Sequence, residues 1–223
     1  MASNAMAQSF NKAYTGLRPE LVSEVAGANL AILDLGCATG ANGRYLLDKG
    51  LASNVYGAEY DEAMAAEASK YYHYVAVGDL DLPATLNGLG DQQYDFIIAG
   101  DILEHLNNPW LLLQTLKGLL KPDGKVIISL PNMQHIDVFI HLFLKHTWPI
   151  NNRGLFDKTH RRNFTIKDMH ALTAQAELKI VKVKNMFRYR DDPKSKFPWY
   201  GPLLKRLLKR YYTFQYVLVC THA

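Results

Sequence analysis

The stretch AILDLGCATGANG, Ala31 to Gly43, runs from an apolar strand-like segment through Asp34 into a loop with glycines at 36, 40 and 43. A glycine-rich turn from strand to helix holds either a dinucleotide pyrophosphate or another adenosine-containing cofactor, and the two make opposite demands on charge. Pyrophosphate calls for G-x-G-x-x-G, free backbone N–H groups at a helix N-terminus, and no anion beside the phosphates. Here the spacing is Gly36-Cys37-Ala38-Thr39-Gly40, and the preceding strand ends in a carboxylate. Asp34 would repel two phosphates and suits a cation. S-adenosylmethionine carries a sulfonium and an α-ammonium but no phosphate. The next strand-like run ends at Glu59, 19 residues beyond Gly40, where a carboxylate can accept both ribose hydroxyls. A third run ends at Asp79, placed to meet an adenine edge.

Short apolar runs alternate with helical patterns along the first 131 residues: LAILDL (30–35), NVYGAEY (54–60), HYVAVGD (73–79), YDFIIAG (94–100) and GKVIISLP (124–131). Five such runs imply a parallel sheet, and their near-continuous apolar character implies helices on both faces. Between them, Asp61 is placed to N-cap DEAMAAEASKYY, and Leu112, Leu116, Leu119 and Leu120 form an apolar stripe ahead of a Pro-Asp-Gly turn. After Pro131 the rhythm changes. QHIDVFIHLFLKHTW (134–148) reads as helical, and FTIKDMHALTAQAE as a helix capped at Thr165 with Asp168 at its capping-box position. LKIVKVKNMF (178–187) and YTFQYVLVCTH (212–222) read as strands pairing antiparallel with each other. The expected fold is α/β, a doubly wound three-layer sandwich (Rossmann-like) with a mostly parallel sheet and an antiparallel C-terminal strand.

With 223 residues and 48% hydrophobic content, the chain suits one sizeable core and therefore one domain, 6–223. Ser3-Asn4-Ala5 ahead of Met6 marks residues 1–5 as an expression-tag scar. The domain divides into an N-terminal helical cap (6–27), a cofactor-binding core (28–131), an acceptor-side insertion (132–165) and a basic connector with helix (188–212). No apolar run approaches the roughly 18 residues of a spanning helix. Cys37 and Cys220 are the only cysteines, which suggests neither a disulfide framework nor a cysteine metal site and fits a cytoplasmic protein. The net charge of +4 is uneven. Residues 182–210 hold ten Lys or Arg against Asp191 and Asp192, a local +8, leaving 15 basic and 19 acidic residues elsewhere. Within that tail, GPLLKRLLKRYY puts Leu203, Leu204, Leu207, Leu208 and Tyr211 on one side of a helix and Lys205, Arg206, Lys209 and Arg210 on another. Either the leucines pack on the domain, or residues 203–211 form a membrane-surface helix or a lid over an anionic acceptor.

These motifs resemble those of the class I S-adenosylmethionine-dependent methyltransferases over about residues 28–187. ILDLGCATG is similar to the family's first motif, with Ala38 in place of the usual middle glycine. VYGAEYD is similar to its ribose-binding segment, VGDLDLP to its adenine segment, and residues 94–132 to the block between its fourth and fifth strands. The resemblance implies that Asp34, Gly36, Cys37, Ala38, Gly40, Glu59, Tyr60, Asp79, Leu80 and Asp101 hold S-adenosylmethionine, and its product S-adenosylhomocysteine. DILEH (101–105) and GLFDKTHRRNFT (154–165) look most like the branch of ubiquinone-type and surface-sugar O-methyltransferases. Ala99-Gly100-Asp101-Ile102 stands where N-methylating relatives carry Asn-Pro-Pro-Tyr, which favours an oxygen acceptor. That acceptor is expected to be a small-molecule, sugar or lipid-linked hydroxyl, with an anionic group compatible with the basic tail.

Methyl transfer is an in-line displacement that gains much of its rate from orientation, and a base that removes the hydroxyl proton adds about 10² to 10⁴. His105, after the fourth strand, and His160, in the acceptor-side segment, are the candidate general bases. Asp101, Glu104 and His105 share one face if that segment is helical, a spacing that can hold a cation, although no metal is called for; the ordinary reading leaves Glu104 on the surface. Three rivals stand beside this reading: an NAD-dependent oxidoreductase, an RNA or protein methyltransferase docking through the basic tail, and a non-catalytic cofactor-binding module. Nucleic acid is not the expected partner, and oligomeric state is not legible.

Overall fold

The computed structural model describes residues 15–192 and 194–223. Residues 6–14 of the expected N-terminal cap lie outside the described residues. What is described of the cap is a short helix, α1 (Pro19–Val22), started by its proline and burying Leu21 and Val22.

Seven strands form one sheet: β1 (Leu30–Leu35), β2 (Ala52–Glu59), β3 (Tyr74–Val77), β4 (Tyr94–Gly100), β5 (Leu120–Pro131), β6 (Leu178–Phe187) and β7 (Thr213–His222), in the order β3-β2-β1-β4-β5-β7-β6. The first five pair in parallel, and β7 lies antiparallel to both β5 and β6. The order reverses between β1 and β4, so the crevice beyond their carboxyl ends is where an open sheet of this kind takes its ligand.

Alternate residues of each central strand enter opposite cores, as the two-residue period of a strand requires. Leu33, Ile97 and Ile128 join one cluster with Leu113 and Leu116 of α4 (Pro109–Leu119) and Met169 and Leu172 of α6 (Ile166–Gln175). Ile32, Ile98 and Ile127 join the other with Leu21, Leu46 of α2 (Ala41–Asp48) and Ala65 and Ala68 of α3 (Glu62–Ala68). The caps are where the sequence puts them. Asp61 accepts from Ala63 N and Met64 N, and Thr165 and Asp168 close a capping box. The Pro-Asp-Gly turn sits inside β5 as an extrusion, because Leu120 pairs with Tyr94 while Lys125 pairs with Phe96.

In the C-terminal third, the 134–148 segment is helical as expected but shorter: an α turn, α5 (Ile136–Phe139), runs directly into a π-helical turn over Ile140–Leu144. The leucine stripe of α7 (Gly201–Leu207) is not buried as a face on the domain: Leu203 is 55% and Leu207 68% exposed, and only Leu204 is half-buried. Lys205 is half-buried beside it, its ammonium 4.3 Å from the Phe197 ring centre. Part of the basic run is also neutralised. Lys182 and Lys184 lie on edge strand β6 and pair with Glu24, and Arg190 pairs with Asp137. No helix among the described residues is long and apolar enough to cross a membrane.

Candidate active site

A cleft of about 890 Å³ opens over the carboxyl ends of β1, β2 and β4. Of the residues singled out in the sequence, Asp34, Gly36, Cys37, Ala38, Glu59, Tyr60, Asp79, Leu80, Asp101, His105 and His160 line it, and Gly40 does not. Gly40 acts one step back. Its left-handed backbone (φ 81°) turns the chain into α2, and a Cβ there would lie 3.0 Å from the Tyr72 ring. Gly36 is also left-handed, and a Cβ would stand 2.1 Å from Ile102. Ala38 adopts the same region (φ 46°) with a side chain that disfavours it.

The acidic strand ends organise this loop. Glu59 accepts from Ala38 N at 2.8 Å, Tyr60 N at 2.9 Å and Asp61 N at 3.0 Å, so the carboxylate is fixed before any ribose hydroxyl reaches it. A carboxylate offers about four lone-pair positions, so capacity remains for a ligand. Tyr60 stands at the lip, 75% exposed. Asp79 accepts from Asp81 N, and Asp81, which the sequence reading passed over, holds the backbone of Asn107 and Asn108. Asp34 is more enclosed than expected. Its Oδ2 accepts the Tyr72 hydroxyl at 2.7 Å, and that hydroxyl accepts Gly43 N at 3.0 Å. Burial pushes the Asp34 carboxyl up to about 6, opposed by the hydrogen bonds from Tyr72 and Asn42. Burial also drives the Cys37 thiol far above its ordinary range, so Cys37 is packing rather than a nucleophile.

The segment after β4 is a short 3₁₀ turn, Leu103–His105, and Asp101 before it is left-handed (φ 55°). Asp101, Glu104 and His105 therefore do not share a helical face. Asp101 turns to Arg18 (2.8 Å), Ser129 Oγ (2.7 Å) and Gln215. Glu104 is not on the surface. It is 1% exposed, its Oε2 has no hydrogen-bond partner among the described residues, and burial raises its carboxyl well above the ordinary value. The backbone N–H groups of Arg161 and Arg162 both donate to the Glu104 carbonyl, which brings His160 against His105 with ring centres 4.9 Å apart. Donor atoms of Glu104, His105 and His160 lie within 4.8 Å of one another, a set able to reach one cation.

The two histidines differ in poise. His160 is buried, with Nε2 4.0 Å from Glu104, and burial lowers its pKa. His105 is half-buried, and its Nδ1 lies 3.0 Å from Thr159 Oγ1 and 3.3 Å from the Thr159 carbonyl. Thr159 donates its one hydroxyl proton to Asp157 Oδ1 at 2.6 Å. Both groups facing Nδ1 are then acceptors, so Nδ1 carries the ring proton and Nε2 is left with a free lone pair. Asp157 and Thr159, absent from the sequence-based set, thus fix the tautomer a base requires.

Arg18, Arg153, Arg161 and Arg188 line the same cleft, as do Phe214 and Gln215. They come from segments far apart in sequence and carry no local motif. Arg18 is neutralised by Asp101 and Glu20.

A reversed parallel sheet, acids at three successive strand ends and a histidine-bearing turn after the fourth strand define the class I S-adenosylmethionine-dependent methyltransferases. Residues 9–183 match the family described as a methyltransferase domain, and the chain belongs to it. The cofactor of that class, S-adenosylmethionine, fits a donor set that is acidic where a cation and a ribose must sit. The ubiquinone biosynthesis O-methyltransferase of Rickettsia felis is 32% identical over 106 residues, 47% of this chain and 43% of that protein. The chain thus spans less than half the length of that relative. An S-adenosylmethionine-dependent methyltransferase from Archaeoglobus fulgidus superposes with a TM-score of 0.63 at 15% identity, over 90% of this chain and 89% of the other. Magnesium protoporphyrin IX methyltransferase from Synechocystis, solved with bound S-adenosylhomocysteine, gives 0.60 at 15% identity, over 92% and 79%. At these identities the likeness is one of fold.

Proposed function

We propose that this protein moves the methyl group of S-adenosylmethionine to a hydroxyl oxygen of a small-molecule, sugar or lipid-linked acceptor, with His105 as the general base. The observation that carries this reading is the setting of His105, which lines the cofactor cleft with Nδ1 3.0 Å from a Thr159 hydroxyl that donates to Asp157, an arrangement that in the neutral ring favours a proton on Nδ1 and a lone pair on Nε2. Glu59 takes the ribose hydroxyls, Asp79 the adenine edge, and Asp34 and Asp101 the cationic amino-acid end. When bound, the cofactor supplies the electrophilic methyl. The chain's share is to align the acceptor oxygen with it and to remove the proton at His105 Nε2. The test combines calorimetry with S-adenosylhomocysteine and labelled methyl transfer across a panel of hydroxylated acceptors. His105→Gln should keep cofactor affinity and lose about 10² or more in turnover. A variant that retains wild-type turnover removes His105 from the role.

A second observation supports a lipid-linked acceptor at a cytoplasmic membrane surface. Trp199 is 92% exposed and continues into the outward leucines of α7, while Arg206, Lys209 and Arg210 are exposed in the same stretch. Aromatic and leucine side chains beside cations suit an anionic bilayer surface. Co-sedimentation with vesicles containing anionic lipid tests this. Pelleting lost on neutralising those three cations supports it, and no pelleting at low salt rejects it.

A further inference from the structure

The cleft is lined by charges of both signs. Acids predominate at the strand ends, with Asp34, Glu59 and Asp79, and Arg18 there is paired with Asp101, whereas the wall bearing Arg153 and Arg188 mixes these cations with Arg161, Glu104 and Asp157. Arg188 is held at several points. Its N donates to the Tyr212 carbonyl at 3.1 Å, its own carbonyl meets His135 Nε2 at 2.9 Å, and its guanidinium lies 3.8 Å from the Phe214 ring centre. Stacking on an aromatic face orients the plane of the fork and leaves its N–H edges free for a ligand.

Among the described residues, no hydrogen bond uses those edges. Among the described residues, the one ion-pair contact of the Arg188 guanidinium is Asp191 Oδ1 at 3.7 Å, beyond hydrogen-bond reach. Asp191 is engaged elsewhere, since its Oδ2 accepts Leu155 N at 2.9 Å and its carboxylate closes over Gly154, where a Cβ would lie 2.5 Å away. That clamp secures the loop bearing Arg153, which has no ion pair among the described residues and adds a repulsive charge beside Arg188. Two cations brought together at a cleft wall, one of them half-buried and rigid, are an unfavourable arrangement that an anion between them relieves.

We propose that Arg153 and Arg188 form an anion subsite at the acceptor end of the cleft, and that the methyl acceptor bears a carboxylate or phosphate group there. This rests on the methyl-transfer reading and names its substrate class. The anionic group anchors the acceptor away from the acidic strand ends, so the hydroxyl to be methylated lies between the subsite and the His105 side. An acceptor of the same skeleton without the anion would leave Arg188 with only its long contact to Asp191 and Arg153 with no carboxylate among the described residues.

The test uses the full chain, with and without S-adenosylhomocysteine, titrated at constant ionic strength with inorganic phosphate and, separately, benzoate. Saturable binding of at least one anion is expected, weakened at least tenfold in Arg153→Met and in Arg188→Met, and unchanged in Lys167→Met, an exposed cation of α6 outside the cleft. The anion that binds more tightly identifies the group. Arg153 is exposed, so its variant reports even if Arg188→Met disturbs the packing on Phe214. Absence of saturable binding to the wild type, or equal affinity in all four proteins, overturns the subsite. S-adenosylhomocysteine binding in the same samples keeps the two readings apart: cofactor binding without anion binding sinks only the subsite, and loss of cofactor binding sinks the reading beneath it.

Discussion

Tyr72→Phe removes one oxygen atom that serves two buried groups. In the wild type the Tyr72 hydroxyl donates to Asp34 at 2.7 Å and accepts from Gly43 N, which lies in the first turn of α2 and has no partner within the helix. A hydrogen bond to a charged group contributes about 1.5–3 kcal/mol, and a buried N–H left without an acceptor costs about 1–3 kcal/mol. Together the substitution should destabilise the fold by about 2.5–6 kcal/mol near neutral pH. The pH dependence follows from Asp34. Its folded pKa of about 6 is above the unfolded value near 3.9, so the protonated form favours folding, and about 3 kcal/mol of stability is lost as pH rises through that window. Losing the Tyr72 bond raises the folded pKa further, which extends the loss above 6. The gap between wild type and variant should thus be largest near pH 8 and shrink towards pH 5, where Asp34 is mostly protonated in both and the Gly43 term of about 1–3 kcal/mol remains. Urea denaturation followed by circular dichroism at the two pH values measures it. A gap under about 1 kcal/mol at pH 8, or the same gap at both, refutes the claim that Tyr72 holds an ionised Asp34.

Other consequences are separable. Ala38→Gly relieves a left-handed alanine and should stabilise by up to about 1 kcal/mol, seen as a Tm rise of a few degrees; a lower Tm contradicts the strain. Leu207→Asp should leave stability within about 0.5 kcal/mol because the side chain faces solvent, whereas Leu116→Asp, fully buried, should abolish folding. Comparable melting of the two variants would show α7 packed after all. Thr159→Val leaves His105 Nδ1 with only the weaker carbonyl contact, so turnover should fall without a change in S-adenosylhomocysteine affinity; unchanged turnover removes Thr159 as a positioning residue.

The cofactor half of the site was legible because its signals are local. Asp34, Glu59 and Asp79 each follow a few apolar residues, and strand ends in a parallel sheet meet at one crevice whatever the intervening helices do. The caps at Asp61 and Thr165 were legible for the same reason, each being a contact within three residues. The acceptor half is built from long-range contacts. Gln215 reaches Asp101 across 114 positions, and Thr159 reaches His105 across 54, with nothing in either neighbourhood to announce the partner. The leucine stripe shows another limit. Periodicity says that α7 has an apolar and a basic face, but neither is buried whole: Leu204 and Lys205 are half-buried side by side, the latter drawn to the Phe197 ring. Charge counting likewise could not foresee that Lys182, Lys184 and Arg190 find carboxylates and leave a smaller exposed cationic surface than the sequence suggests.

The most direct test of the central claim is calorimetric titration of the protein with S-adenosylhomocysteine and with NAD, repeated on Glu59→Gln. Acids at the ends of three neighbouring strands favour a cationic, phosphate-free nucleoside. S-adenosylhomocysteine should therefore bind, NAD should not, and Glu59→Gln should weaken the first by about 1.5–3 kcal/mol, roughly 10- to 150-fold. NAD binding as tightly as S-adenosylhomocysteine, or an affinity for the latter indifferent to Glu59, would contradict the account.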